Sequence, residues 1–177
     1  MMMEMLVGDY RIRISHLDSK NEMKQVLTRF KNGCYELSEP EYHCKYYILS
    51  YQLYNDKEWF GIGIYSDNSS FQPTIVSNYS DNDILLIHNK HVTLLSLRDG
   101  KICFDYTSDS TVYFSKYYYD TIVVISELSA VQLKPNGDIL VVHTLDDVLE
   151  SFGFEQEGLV CRTMNSCTTY PLQTCKL

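Results

Sequence analysis

Short apolar runs separated by turn residues fill the second half of the chain. From residue 83 to about 143, runs of roughly five to seven apolar residues alternate with turn signals about every 8 to 12 residues. This spacing is typical of an antiparallel meander, in which each strand pairs with the strand before it. The pattern therefore predicts consecutive antiparallel strands over this region.

Two stretches of the sequence predict the same order of strands: DILLIHNKHVTLLSLRDGKICF and DTIVVISELSAVQLKPNGDILV. The first stretch begins at Asp83 and the second at Asp120, 37 residues later, so that Gly100 corresponds to Gly137. RDGK and PNGD are strong hairpin signals, because Asp-Gly and Asn-Gly supply the positive φ that tight β-turns need. The matched period predicts one supersecondary unit repeated over 83–119 and 120–156, which stacking against its neighbour stabilises.

One amphipathic helix is predicted near the start of the chain, after a first strand over residues 5–14. Its apolar residues recur at i, i+3, i+4 and i+7, a spacing that places them on one face. Asp18 or Ser19 is the expected N-cap, and Glu22 stands three residues after Ser19, as a capping box requires. Gly33 is the expected C-terminal cap. The apolar stripe consists of Met23, Val26, Leu27 and Phe30.

Two further strands and one ambiguous segment are predicted from the remaining patterns. KYYILSYQLY and EWFGIGIYS have the composition of strands and are joined by the turn residues NDK. Gly61 and Gly63 lie on one face of the second strand, where another backbone or an aromatic ring can approach closely. TLDDVLESFG, with Thr144 as its cap, fits either a helix or an irregular strand.

The segments VTLLSLRDGKICF and AVQLKPNGDILVV resemble blades of quinoprotein-type and related β-propellers, with their strand, Asp-x-x-x-Gly-Lys-type turn and following strand. The resemblance covers two units, about a third of the chain, and Phe104 and Val141 stand where such blades usually have Trp. A propeller typically needs about 4 to 8 blades of four strands. The resemblance therefore implies a blade-like meander that does not close. It implies no pyrroloquinoline quinone, because no cofactor-binding pattern matches.

Together these patterns predict a mainly β fold with one N-terminal α-helix, in which an antiparallel meander of blade-like repeats forms an open curved sheet or half-propeller. A strand–helix segment is expected over 1–44, an antiparallel β domain over 45–165 and a C-terminal tail over 166–177, all within a single domain. The composition agrees, since the chain has fifteen Tyr but only one Ala, Ala130. Ala is the best helix former, whereas Tyr fits a pleated sheet.

The first residues, MMMEMLVGDYRIRI, do not resemble a signal peptide. They contain no basic segment before the apolar run, which Glu4, Gly8 and Asp9 interrupt. No apolar window approaches the ~20 residues that a membrane span needs. A cytoplasmic location without a membrane partner is therefore expected, and the six Cys are expected to stay reduced there.

The net charge of −8 is concentrated in one part of the chain. Residues 105–160 contain ten acids and two bases, a balance of −8, while residues 1–104 balance to −2 and residues 161–177 to +2. Such a surface either keeps the protein soluble or docks a basic partner, because complementary charge speeds association. The same charge argues against binding nucleic acid, which requires a basic patch.

No pattern of catalytic or metal-ligating residues stands out in the sequence. His88 and His91 flank a two-residue turn and are expected to face each other across a hairpin, but a zinc site needs three or four ligands. The neighbours His43 and Cys44 point to opposite faces of an extended chain and cannot form a nucleophile–base pair there. The spacing of the last three cysteines, Cys161, Cys167 and Cys175, matches no zinc finger. We therefore expect no catalytic residue, no metal and no cofactor.

These expectations favour a non-enzymatic protein that binds another protein. A small chain that joins one N-terminal helix to blade-like β units also resembles some immunity proteins, which neutralise bacterial polymorphic or contact-dependent toxins. That resemblance implies a basic partner, such as a toxin nuclease domain whose active site is masked. A structural or scaffolding β module that self-associates through sheet edges is an alternative. An enzyme is another, and it predicts a polar pocket around at least two of His16, His43, His88, His91 and His143.

A partner is expected to bind the acidic stretch after the second repeat, LDDVLESFGFEQEG. Its five carboxylates supply the electrostatic element and one of its two Phe the apolar anchor, since interface anchors are few, aromatic and central while charges steer. In the alternative interpretation both Phe belong to the core and the acids solvate a surface helix. The predicted binding residues are Asp146, Asp147, Glu150, Phe152, Phe154, Glu155 and Glu157.

Overall fold

The structure of the protein is a computed structural model. It describes residues 2–30, 32–37, 45–54, 56, 59–66, 72–78 and 82–174, with side chains described from residue 37 onwards in the second of these ranges. The chain divides into two compact units. Unit 1 consists of Met1–Asn89 and Leu94–Ile102, and unit 2 of Lys90–Thr93 and Cys103–Leu177.

The described residues form sixteen strands and one helix, which confirms the mainly β fold with a single N-terminal helix. The strands make four sheets, in the orders β1-β2-β4-β5-β3, β6-β7-β8-β9, β10-β11-β12-β13 and β14-β15-β16. Pairing is antiparallel except that β3 runs parallel to β5. None of the four sheets closes into a barrel over the described ranges. The elements are β1 (Met2–Val7), β2 (Tyr10–Leu17), α1 (Lys20–Leu27), β3 (Asn32–Leu37), β4 (Lys45–Leu53), β5 (Phe60–Ser66), β6 (Thr74–Ser77), β7 (Asp83–His88), β8 (His91–Ser96), β9 (Ile102–Thr107), β10 (Val112–Tyr118), β11 (Thr121–Ser126), β12 (Ser129–Leu133), β13 (Ile139–Thr144), β14 (Leu149–Glu155), β15 (Gly158–Thr163) and β16 (Cys167–Tyr170).

Helix α1 begins where the capping pattern places it. The hydroxyl of Ser19 accepts a hydrogen bond from the Glu22 amide at 3.1 Å, and the Glu22 carboxylate accepts one from the Asp18 amide at 2.8 Å. These bonds satisfy amide groups that have no partner inside a first helical turn. The prediction that Gly33 caps the end is wrong, because the helix ends at Leu27 and Gly33 already belongs to β3.

The predicted close approach at the two glycines of β5 is confirmed within unit 1. A Cβ atom on Gly61 would overlap the ring of Phe30, and one on Gly63 would lie 3.0 Å from the Leu27 side chain and 3.1 Å from that of Met23. Both positions therefore let the apolar face of the helix lie directly on the sheet. The helix completes a small core with Met23, Leu27, Ile48 and Tyr65.

A larger core lies on the other face of the same sheet in unit 1. It is built from alternate residues of the strands, because successive side chains of a strand point to opposite faces. Ile12, Leu49 and Ile64 are completely buried there. The cluster consists of Val7, Ile12, Ile14, Leu37, Tyr47, Leu49, Tyr51, Ile62, Ile64, Ile75, Ile84, Leu86, Leu95 and Leu97.

The 37-residue period reappears in the positions where strands begin. Ile102 begins β9 and Ile139 begins β13, while Val112 begins β10 and Leu149 begins β14. The boundaries of the 37-residue units do not coincide with the boundaries of the sheets. Each 37-residue unit supplies the last three strands of one sheet and the first strand of the next, so β11, β12 and β13 share a sheet with β10 from the preceding unit.

The turn predictions in the repeat are confirmed by the backbone. Gly100 has φ 70° and Gly137 has φ 90°, so both occupy the left-handed region that favours glycine. The two-residue turn between β7 and β8 is also present, and Asn89 has φ 51° there. The ambiguous segment TLDDVLESFG forms no helix: its second half is strand β14, with an irregular register between Leu149 and Ser151.

Two sheets of unit 2 pack face to face. Val123, Ile125 and Ala130 point from the sheet of β10–β13 toward Leu159 and Cys161 of β15, and all five side chains are buried. This burial stabilises the unit by roughly 1.5–3 kcal/mol for each large side chain taken from water. No helix within the described ranges is long and apolar enough to cross a membrane.

Candidate protein-binding surface

The seven predicted binding residues do not lie together. Asp146 and Asp147 lie in the link before β14, whereas Glu155 ends that strand and Glu157 lies in the turn after it. A strand advances about 3.3 Å per residue, so the two acidic groups are separated by roughly 20 Å. The stretch is therefore not one electrostatic patch, although its residues are adjacent in sequence.

Two of the predicted acids brace loops of unit 2. The carboxylate of Asp146 accepts hydrogen bonds from the Thr163 hydroxyl at 2.8 Å and from the Ser166 hydroxyl at 3.0 Å. The bond from Thr163, supported by that from Ser166, lowers the pKa of the Asp146 carboxyl, although desolvation opposes it. Asp147 accepts from the Asn165 side-chain amide at 2.9 Å. These contacts tie the link before β14 to the turn between β15 and β16.

Backbone hydrogen bonds join another turn to the same end of unit 2. The Leu145 amide donates to the Leu128 carbonyl at 2.9 Å, and the Leu149 amide donates to the Glu127 carbonyl at 2.9 Å. The Leu128 amide in turn donates to the Ser110 hydroxyl at 3.2 Å. We call the residues 108–111, 127–128, 145–148 and 163–166 the loop end of unit 2, since these bonds connect them.

The loop end exposes three large apolar side chains. Leu128 is 44% exposed, Val148 42% and Met164 78%. The four segments contain Asp109, Glu127, Asp146 and Asp147 but no Lys or Arg. The loop end therefore presents exposed apolar side chains among carboxylates, on loops that are held by hydrogen bonds.

The two predicted anchors are half-buried and belong to the packing between the sheets of unit 2. The ring of Phe152 lies 5.2 Å from that of Phe114, and the ring of Phe154 lies 6.2 Å from it. The Lys116 ammonium stands 3.4 Å from the centre of the Phe154 ring. A cation this close to an aromatic face is attracted to it. Leu128, Val148 and Met164 are more exposed than either Phe ring, and binding through Phe152 or Phe154 stays a prediction.

The remaining predicted acids are exposed. Glu150 projects from β14 close to its irregular register, on the side of the loop end. At the opposite end of the strand, Glu155 and Glu157 border an open depression of about 700 Å³ together with Phe154 and Gln156. No hydrogen-bonded frame comparable to that of Asp146 and Asp147 surrounds Glu155 and Glu157 in the described contacts.

The histidines of the enzyme alternative lie in separate strands. His16 packs edge-on against Tyr47 in unit 1 at 5.3 Å, and His88 is only 2% exposed. In unit 2 the His91 Nδ1 lies 3.2 Å from an Asp105 carboxylate oxygen. Within the described part of the chain, no group of three or more His, Cys, Asp or Glu is placed to hold a metal ion. The predicted His43 lies outside the described residues.

The fourth described histidine stacks on an aromatic ring in unit 2. The rings of His143 and Tyr170 lie 4.5 Å apart with 27° between their planes. Burial lowers the pKa of the imidazole, which keeps it neutral at physiological pH. Nearby, Cys161 is buried, and desolvation raises the pKa of its thiol to about 11. A thiol with such a pKa is a poor nucleophile, because the thiolate is the reactive form.

The exposed residues of the loop end escaped the sequence reasoning, although a signal exists. Leu128 and Met164 are single apolar residues inside otherwise polar turns, written SELSA and TMNSC. An apolar residue in a turn either packs into the core or is exposed to solvent, and the periodicity of the sequence does not distinguish these two positions. The order of the strands in the sheets decides which turns lie at the same end, and the sequence pattern does not give that order.

No protein-family model matches the chain, and no curated protein matches it. Similar chains among solved structures include one described as "Crystal structure of HIRA(644-1017)", with 9% sequence identity and a TM-score of 0.48. The match covers 90% of this chain and 46% of that chain, so this chain spans less than half the length of the structure it matches. Identity and TM-score at these levels carry no conclusion about function.

Proposed function

We propose that the protein is a non-enzymatic binding module whose loop end in unit 2 docks a partner protein with a cationic, partly apolar surface. The observation that carries this proposal is the exposure of Leu128, Val148 and Met164 on loops that also bear four carboxylates. Soluble proteins scatter single apolar residues over their surface, but several within one acidic frame are typical of an interaction site.

The apolar side chains supply the affinity in this proposal. Burying the exposed half of a Leu, Val or Met side chain contributes about 1 kcal/mol, so three of them contribute roughly 3 kcal/mol. The hydrogen bonds of Asp146 and Asp147 hold the loops in place before binding. Loops that are already ordered lose less conformational entropy when a partner docks.

The carboxylates supply selectivity and association rate. An acidic frame attracts a basic surface and repels an acidic one, and it raises the association rate constant most at low salt. The same frame repels phosphate groups, which supports a protein partner over a nucleic acid. No catalytic step is part of the proposal.

A narrower form of the proposal names the partner as a basic toxin domain, with this chain as its immunity protein. Its support is the charge of residues 105–160 alone, ten acids against two bases. Toxin nucleases are basic because they bind phosphates, and an acidic surface is suited to cover them. Co-expression with the product of the adjacent gene tests this form directly. Absence of both a complex and protection would contradict it while leaving the broader proposal in place.

Affinity capture with variant baits tests the broader proposal. The lysine substitutions Val148→Lys and Met164→Lys replace exposed apolar side chains of the loop end by cations and leave Asp146 and Asp147, which brace the loops, in place. Tyr119→Lys, at a side chain that is 78% exposed in the turn on the opposite end of β10, is the matched control. A partner held through the loop end is expected to be captured by the wild type and the control and lost by the double variant.

Titration of the captured partner then separates the two contributions. The double variant is expected to weaken binding at least tenfold, and Glu150→Lys to slow association at low salt with little change at high salt, since salt screens exposed charges. A partner that binds the folded double variant as tightly as the wild type would show that the loop end is not the binding surface.

A further inference from the structure

An open sheet edge in unit 1 combines exposed apolar side chains with an uninterrupted pairing register. Strand β1 lies at the outside of the five-stranded sheet, and over the described ranges no strand pairs with its outer side. Met2 and Leu6 are each 62% exposed on this strand, and Met3 is 41% exposed. We propose that β1 pairs with β1 of a second copy of this chain, in antiparallel orientation about Glu4.

The other edge strands carry features that discourage pairing. Irregular registers lie on β3, β10, β13 and β14. The edge strands β6 and β16 have only four residues, and a proline follows β16 directly. Strand β9 turns alternate residues to solvent, and those residues are Cys103, Asp105 and Thr107. Bulges, short length, proline and charge are the devices by which natural edges avoid adding strands. Strand β1 is six residues long and paired in continuous register with β2.

The one charge on β1 does not protect it. The Glu4 carboxylate lies 2.6 Å from the Arg13 Nε and 3.6 Å from the Arg11 Nε, both on β2. Each carboxylate therefore has two cations beside it in its own copy. Like charges that face each other across strands are destabilising when they are unpaired, but here the pairing of two Glu4 residues brings four guanidinium groups to two carboxylates.

The hairpin geometry places the free backbone groups of β1 on the outer edge. Val7 pairs with Tyr10 across the two-residue turn Gly8-Asp9, so this pair exchanges hydrogen bonds, as do the pairs of Met5 and Met3 with β2. The amide and carbonyl groups of Met2, Glu4 and Leu6 consequently point away from β2. They offer up to six hydrogen bonds to an added antiparallel strand.

A second copy satisfies this edge because the strand is self-complementary. Antiparallel pairing centred on Glu4 sets Met2 of each copy opposite Leu6 of the other, and Met3 opposite Met5. A two-fold axis always brings the same patch of both subunits together, so a patch must match itself. Along β1 every apolar residue then meets an apolar residue.

Further exposed apolar side chains lie beside the hairpin end of β1. Leu53 is 42% exposed and Tyr54 57% exposed, and with Leu6, Gly8 and Asp9 they border a depression of about 300 Å³ at the end of the hairpin. Five large side chains about half exposed leave on the order of 500 Å² of surface open on each copy. Full burial of this surface in both copies amounts to roughly 1,000 Å², the lower limit for a specific interface, and an interface of this size is typical of weak association.

Sedimentation equilibrium of the full chain from about 1 to 200 µM tests the proposal. The wild type is expected to pass from monomer to dimer within this range. Leu6→Lys and Met2→Lys are each expected to weaken dimerisation at least tenfold, because a lysine on an edge strand has to be buried opposite an apolar residue. Ile139→Lys, at a 55% exposed position of the edge strand β13, is the matched control and is expected to leave the dimer unchanged.

A cross-link tests the register independently of the lysine variants. In the proposed pairing the two Glu4 Cα atoms lie about 5.5 Å apart, within the range that a disulfide spans. Glu4→Cys is therefore expected to give, under mild oxidation, a covalent dimer in which peptide mapping locates the disulfide between position 4 of both copies, whereas a disulfide through the exposed Cys103 or Cys167 would appear in the wild type as well. A wild type that stays monomeric at about 200 µM, a dimer that survives both lysine variants, or one that Ile139→Lys weakens equally would overturn the proposal. If neither lysine variant folds, the absence of the Glu4→Cys cross-link overturns it.

Discussion

The side chain of Gln132 holds the described C-terminal residues against the sheet of β10–β13. It is 1% exposed, its amide nitrogen donates to the Thr121 hydroxyl at 2.7 Å and to the Gln173 carbonyl, and its oxygen accepts from the Gln173 amide at 2.9 Å. Gln132→Met keeps the size of the side chain and removes all three bonds. We expect the variant to be less stable than the wild type.

The magnitude follows from the three bonds and their surroundings. A hydrogen bond contributes about 0.5–1.5 kcal/mol net, and a buried group left without a partner costs more. Gln173 is exposed, so its backbone groups turn to water when the bond is lost, which limits the loss. A decrease of about 1.5–3 kcal/mol in the free energy of unfolding is expected, or roughly 4–10 °C in Tm for a chain of this size. Urea denaturation and differential scanning calorimetry measure both.

Two variants of the partner residue provide the control. The bonds reach only the backbone of Gln173, so Gln173→Ala is expected to leave stability within about 0.5 kcal/mol of the wild type. Gln173→Pro removes the donated amide hydrogen and is expected to lose about 1 kcal/mol. Hydrogen exchange at residues 172–174 is expected to speed up in Gln132→Met and Gln173→Pro but not in Gln173→Ala. A Gln132→Met protein as stable as the wild type, or a Gln173→Ala protein destabilised as much as Gln132→Met, would refute this account.

Three further predictions concern single sites. Gly61→Ala is expected to lower the free energy of unfolding by about 1–3 kcal/mol, because its Cβ overlaps an aromatic ring, whereas Gly153→Ala, with open space at its Cβ, changes Tm little. Asp146→Ala is expected to lower Tm at pH 7. The pKa of the Asp146 carboxyl is lowered in the folded state, so the carboxylate stabilises the fold above the ordinary Asp pKa of about 3.9. The Tm values of wild type and variant are expected to converge as the pH falls through the lowered pKa. Iodoacetamide at pH 8 is expected to label exposed Cys167 well before buried Cys161, whose pKa is raised to about 11; equal labelling in a peptide mass map would contradict this.

Local features of the fold could be predicted from the sequence because they rest on short-range chemistry. The helix start depends on Ser19 and Glu22, three residues apart, and both make the expected bonds. The turns at Gly100 and Gly137 depend on one residue that tolerates positive φ. The end of the helix was not predictable in the same way, since Gly33 lies within β3, at the irregular register of that strand with β5, and the pairing of the strand as a whole outweighs the preference of Gly33 for a cap position.

The candidate site was harder to predict because it depends on which loops meet. Asp146 and Glu157 belong to one acidic run in the sequence, but the seven-residue strand β14 separates them. Leu128 and Met164 are far apart in the sequence and share the loop end because the strands between them run back and forth. Alternating apolar and polar residues predict that a strand exists. They do not predict the order of the strands, which sets the neighbours of every turn.

The one-strand offset between the repeat and the sheets bears on how unit 2 unfolds. Strand β10 belongs to the first 37-residue unit but pairs with β11 of the second, and β14 likewise belongs to the second unit but pairs with β15. Unfolding the segment 120–156 on its own would therefore remove β11, the partner strand of β10, and β14, one of the two partner strands of β15. The repeat is thus not an independent folding unit, and the two sheets are expected to lose their structure in one cooperative transition. A duplication or deletion that leaves whole sheets must be cut between β9 and β10 or between β13 and β14, one strand away from the boundary that the sequence period marks.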